Sequence, residues 1–163
     1  MADAGKPTDW IKMKIDPEIF EELGVRDPEE TKREMAITKK TRQVNKELKA
    51  DPNNLDLQVE LATLMIDGAS YEDAIKMLMA IRNKRPKDAK VYKLLGTAYV
   101  LFNHEEEAML EMNRACELDP SDAENHFNLG GLYLLRDMYS NAATSFEKVI
   151  ELDPTDTTAY ANL

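Results

Sequence analysis

The chain is poor in the residues that carry chemistry. It has one cysteine, one tryptophan and two histidines in 163 residues. A single thiol, Cys116, forms no internal disulfide and no metal cluster, and it reads as a small buried hydrophobe. His104 and His126 have no carboxylate or cysteine at a metal-ligand spacing. No glycine-rich phosphate loop occurs. No run of apolar residues is long enough to cross a bilayer. The opening residues, MADAGKPTDW, lack the basic and then apolar regions of a secretory signal. Asp3 and Asp9 argue against an acid-poor transit peptide. A reducing, cytoplasmic location follows as the expectation. Basic charge is also scarce: 21 Lys and Arg face 31 Asp and Glu, for a net charge of −10. Phosphate binding needs a basic face, so a nucleic-acid partner is not expected. No nucleophile, base and orienting group stand together, so no catalytic residue, cofactor or metal is assigned and an enzyme is not expected.

The charge is unevenly placed. From Leu94 to Leu163 three basic residues face thirteen acidic ones. Residues 39–49 and 82–93 are locally basic. Solvated helix faces account for such runs. Hydrophobic content of 43% is enough to fold, and 32% charged residues keep the surface polar.

What the chain has is a period. Pro52, Pro86, Pro120 and Pro154 fall 34 residues apart. Ala74, Ala108 and Ala142 keep that spacing, as do Ala62, Gly96 and Gly130, each preceded by a leucine. A period of this length means stacked supersecondary units, which offer a surface for binding rather than a pocket for chemistry. In the segment 123–156, Phe127, Leu129, Leu132, Tyr133 and Leu135 recur at helical spacing, then Ala142, Ala143, Phe146, Val149 and Ile150. Asp122 caps the first helix, a turn falls near Asp137-Met138, and Pro154 stops the second helix. The small residues let helices approach closely, so enlarging one is destabilising.

These residues resemble the tetratricopeptide repeat, a family of 34-residue helix–turn–helix units. The units are 55–88, 89–122 and 123–156. The family's positions fall at Tyr92, Leu95, Gly96, Tyr99, Ala108, Ala115 and Pro120, and again at His126, Leu129, Gly130, Tyr133, Ala142, Phe146 and Pro154. Unit one is looser, with Gln58 at the large aromatic position, Ala62 for glycine and Met65 for tyrosine. The resemblance implies an all-α, right-handed α-solenoid of three repeats with an N-terminal capping helix. That helix spans 28–52 and starts at Asp27-Pro28-Glu29-Glu30, with a thin apolar stripe of Met35, Ile37, Val44 and Leu48. Residues 1–27 form an extension: an alternating segment, Trp10 to Ile15, then a short helix from Asp16-Pro17-Glu18 to Gly24. Residues 157–163 begin a fourth, incomplete unit.

The resemblance also implies a function. One face of each first helix lines a concave groove, so the expected partner-binding residues are Val59, Thr63, Ile66, Lys90, Lys93, Leu94, Thr97, Leu101, Phe127, Asn128, Leu134, Leu135 and Asn162. The large apolar members, with Val100, are expected to be exposed and to mark a partner site, unless flanking segments such as 10–23 cover them. Asn128 and Asn162 share one groove position and suit a peptide backbone. The clamp of the Hsp70/Hsp90-tail binders, Lys-Asn-Asn-Lys-Arg, fits only at Lys93 and Asn128. The expected function is therefore a protein–protein interaction module, an adaptor or assembly factor binding a peptide or amphipathic helix. Alternatives are a chaperone shielding a hydrophobic client, similar to those of type III secretion, a scaffold joined end-on into a homo-oligomer through 157–163, or the targeting part of a longer enzyme.

Overall fold

A computed structural model describes residues 27–163, and the expectations for Trp10–Ile15 and for the helix from Asp16 to Gly24 fall outside the described residues. Eight helices and no strand occur among the described residues: α1 Pro28–Ala50, α2 Leu55–Asp67, α3 Tyr71–Lys84, α4 Ala89–Leu101, α5 Glu105–Leu118, α6 Ala123–Leu135, α7 Tyr139–Leu152 and α8 Thr157–Ala161. The chain divides into two units after Gln43, inside α1.

In the first unit, Asp27 starts α1. Its Oδ1 accepts from the Glu29 N–H at 2.8 Å, and its carbonyl accepts from Thr31 N–H. Met35 is 67% exposed, so it is not part of a buried stripe. In the second unit, the end of α1 carries Val44 and Leu48 into an apolar cluster with Leu57, Leu61, Leu64, Met65 and Met77.

The repeat is written in caps. The first helix of each unit, and the helix that follows the third unit, begins on a short polar side chain: Asn54 caps α2, Asp88 α4, Asp122 α6 and Asp156 α8, each accepting from one or two of the free N–H groups of the first turn. The partner helices α3, α5 and α7 have no side-chain cap. They follow a residue with positive φ: Ala69 at 59°, Asn103 at 60° and Asp137 at 55°. That left-handed residue lets the chain reverse after α2, α4 and α6.

A second recurring bond was not visible as a pattern in the sequence. Gln58 Nε2 donates to the Pro52 carbonyl at 2.7 Å, Tyr92 OH to that of Pro86 at 3.1 Å, and His126 Nε2 lies 3.1 Å from that of Pro120. Gln58 departs from the aromatic residue of its repeat position but preserves this bond. A polar tip at a fixed reach is what the position requires.

Packing follows the small-residue ladders. A Cβ on Gly130 would meet the Phe146 ring at 2.9 Å, and one on Gly96 would meet Met112 Cε at 2.8 Å. Phe146, Leu78, Ile81, Leu95 and Met112 are almost wholly buried. Each helix pair buries its apolar stripe against its own partner and against the next pair.

Candidate functional site

The first helices of the second and third units, α4 and α6, stand side by side and leave an apolar groove of about 290 Å³. Its lining is Thr97, Val100 and Leu101 from α4, Phe127, Asn128, Gly131, Leu132 and Leu135 from α6, and Met112 from α5. Thr97, Leu101, Phe127, Asn128 and Leu135 of the residues named from sequence meet here. Met112 and Leu132 were missed, because they belong to the packing face of their helices and reach the groove only as its floor.

The groove opens at this junction because of two substitutions within the repeat. Gly131 stands 34 residues after Thr97, and Asn128 stands 34 after Leu94. Nothing lies within 4 Å of where a Gly131 Cβ would be. Phe127 is held edge-on against Phe146, with ring centroids 5.6 Å apart. Leu101 and Leu135 are exposed at 47% and 64%. No described residue hydrogen-bonds the half-buried Asn128 amide, so it is free to pair with a ligand.

Other expected groove residues have different surroundings. Val59 and Ile66 are buried in the core cluster that also holds Val91, Leu95 and Ala98, with Leu94 packed against it. They are therefore not exposed binding groups: Leu94 of unit two packs over them, at the repeat position that Asn128 occupies in unit three. Leu134 packs partly against the cluster of Ala142, Phe146 and Val149. The Thr63 and Thr97 hydroxyls donate to the carbonyls of Val59 and Lys93, which removes them as ligand donors. Asn162 is exposed, and its Nδ2 donates to the Thr158 carbonyl at 2.9 Å, so it closes its own short helix.

Charge at the groove's N-terminal end is already neutralised. Lys93 Nζ lies 2.8 Å from Glu124 Oε2 and 3.1 Å from Asp122 Oδ2. Burial alone would lower its pKa, but the bonds to Glu124 and Asp122 outweigh this and hold the ammonium above its usual value. Lys90 is exposed. In unit one the Arg85 guanidinium bonds Asp56 at 2.6 Å and holds its carboxyl below the usual range. The Cys116 thiol is pushed up to about 11, burial being the main cause, and is unreactive at neutral pH. Among the described residues no group of three His, Cys, Asp or Glu could hold a metal ion, and no helix is long and apolar enough to cross a membrane.

Antiparallel helix pairs repeated at a fixed period, with an apolar groove between successive first helices, define a helical-repeat protein. The chain belongs to the tetratricopeptide repeat family: models of that repeat match residues 45–98, 89–122 and 123–156. Among solved structures, it is similar to MamA, at 28% identity and a TM-score of 0.71 over 83% of this chain and 78% of that one. MamA from Desulfovibrio magneticus RS-1 is 29% identical with a TM-score of 0.66, covering 88% and 79% of the two chains. The first TPR of Spaghetti (RPAP3), solved with the HSP90 peptide SRMEEVD, shares the fold at 19% identity and a TM-score of 0.64, covering 67% and 86%. No curated protein matches the chain.

Proposed function

We propose that this chain is a protein-interaction module that holds a peptide or an amphipathic helix in the groove between α4 and α6. The observation that carries the reading is the groove itself. It joins an apolar floor of Met112, Leu132 and Phe127 to two exposed leucines and one free amide. Apolar anchors of a partner would fill the floor, and Asn128 would donate to and accept from its main chain. An exposed apolar surface on a folded domain is costly to keep without a partner. Membership of a repeat family that presents extended surfaces supports the same reading.

The groove chemistry favours an apolar or mildly basic ligand over a C-terminal carboxylate. Spaghetti (RPAP3) holds the acidic-ended peptide SRMEEVD. In this chain Lys93, the cation such a ligand would need, is committed to Asp122 and Glu124. Selection of peptides from a random display library on the full chain tests the proposal. The selected peptides should carry apolar anchors. Leu101→Asp should weaken them about 30-fold or more, as expected for a central apolar contact, with helicity unchanged, and SRMEEVD should bind no better than its scrambled control. Unchanged affinity of Leu101→Asp would overturn the placement.

A further inference from the structure

The lining of the groove between α4 and α6 constrains the shape of chain that it takes. Among the described lining residues, only Asn128 carries an unpaired amide, and the Thr97 hydroxyl is spent on the Lys93 carbonyl. The rest are aliphatic, aromatic, methionine or glycine. The main chains of α4 and α6 bond within their own helices. The lining therefore offers no row of donors and acceptors to a ligand.

An extended ligand and a helical one bring different needs to such a surface. On α6 the lining runs from Phe127 to Leu135, about 12 Å at a rise of about 1.5 Å per residue. An extended chain covers that length with about four residues. Each carries an N–H and a C=O, and those turned to the groove lose water without gaining a partner. A single amide serves few of them. A helix covers the same length with about two turns, whose main-chain groups are bonded inside it, and turns only side chains to the groove. Asn128, at one end of the lining, then meets an end of the ligand helix, where main-chain groups are left open.

The preceding junction makes the same contact within the chain. Val59 and Ile66 of α2 belong to a buried cluster against which Leu94 packs, so an aliphatic side chain carried on a helix covers that face. On α6 the corresponding residue is Asn128, and nothing lies within 4 Å of a Cβ on Gly131. A ligand helix supplies the missing aliphatic group from outside. Its flank meets charge of one sign. Glu60 and Asp67 of α2 stand 34 residues before Leu94 and Leu101, which makes the α2 side of the groove acidic, and Asp67 is exposed.

We infer that the occupant of the groove is an amphipathic α-helix of a partner protein, with bulky apolar anchors at i, i+3 or i+4, and i+7, and with Lys or Arg on the flank that meets α2. The central anchor enters the open space over Gly131. This deepens the groove reading and rests on it.

Selection on the full chain from a display library of random peptides about 15 residues long, enough for a marginal helix in water, tests it. The selected peptides should carry apolar residues at i, i+3 or i+4, and i+7. Proline at a central position between the anchors should weaken binding about 100-fold. A lactam bridge between Lys and Glu at i and i+4 on the polar face should tighten it about threefold or more, because less ordering remains to be done on binding. Asp67→Lys should weaken the same peptides about threefold at low salt. Anchors at i and i+2, with the central proline tolerated and Leu101→Asp still disruptive, would overturn the helix and leave the groove reading in place. A library that yields no binder, or only peptides indifferent to Leu101→Asp, would overturn the groove reading and the helix with it. Unchanged affinity in Asp67→Lys would overturn the placement of the basic flank.

Discussion

Among the described residues three glycines occupy helices, and their surroundings differ in ways that decide what each is for. Gly130 lies against a Phe146 ring that is 1% exposed and has nowhere to move. Gly130→Ala should therefore cost about 1–3 kcal/mol by overpacking. The atom facing Gly96 is the end of a flexible methionine, Met112 Cε, which gives way more easily. Gly131 faces open space. A glycine inside a helix is less stable than alanine by about 1 kcal/mol, so Gly131→Ala should raise stability by up to about that amount while its methyl fills the groove and weakens peptide binding. Urea unfolding of the three alanine variants checks the order: Gly130 most damaging, Gly96 intermediate, Gly131 stabilising. A stabilised Gly131→Ala with undiminished binding would show that the open space over this glycine is not used.

The elements are delimited by local chemistry, and much of it was legible. The proline just after α1, α3, α5 and α7 and the Asp or Asn that caps each first helix mark where one unit ends and the next begins, since both act through the backbone of their own neighbourhood. The turns inside each unit were less legible. Ala69, Asn103 and Asp137 share a left-handed backbone but no common side chain, and only Asn and Asp suit that conformation. Ala69 is the misfit. Ala69→Gly should raise stability by about 1 kcal/mol by relieving the crowded Cβ, which thermal or urea unfolding measures. A loss of stability would show that its methyl contributes packing outweighing this strain. Exposure along the groove face was misjudged for a related reason. Spacing places Val59, Ile66, Leu94 and Leu101 on one face, but whether that face is open depends on the residue that the next helix brings against it. At α2/α4 that residue is Leu94, and at α4/α6 it is Asn128 with Gly131 behind it.

At the scale of the whole array, repetition makes the departures from it informative. Family membership follows from what the units share: the prolines, the small-residue ladders and the polar tip of Gln58, Tyr92 or His126 that reaches the preceding turn. The apolar groove follows from what the third unit does not share with the second. Asn128 and Gly131 stand where the second unit has Leu94 and Thr97, and Gly131 leaves open space over the groove. Acidic charge accumulates over the same units, with three basic against thirteen acidic residues from Leu94 onward. That balance favours partners of neutral or basic character, by steering as well as by contact. The most direct test of the central claim is amide and methyl chemical-shift mapping of the uniformly labelled full chain with a library-selected peptide. The account predicts perturbations concentrated at Thr97–Leu101 and Phe127–Leu135, with Met112 alone affected in α5. Perturbations centred instead on the outer faces of α3, α5 and α7 would contradict it.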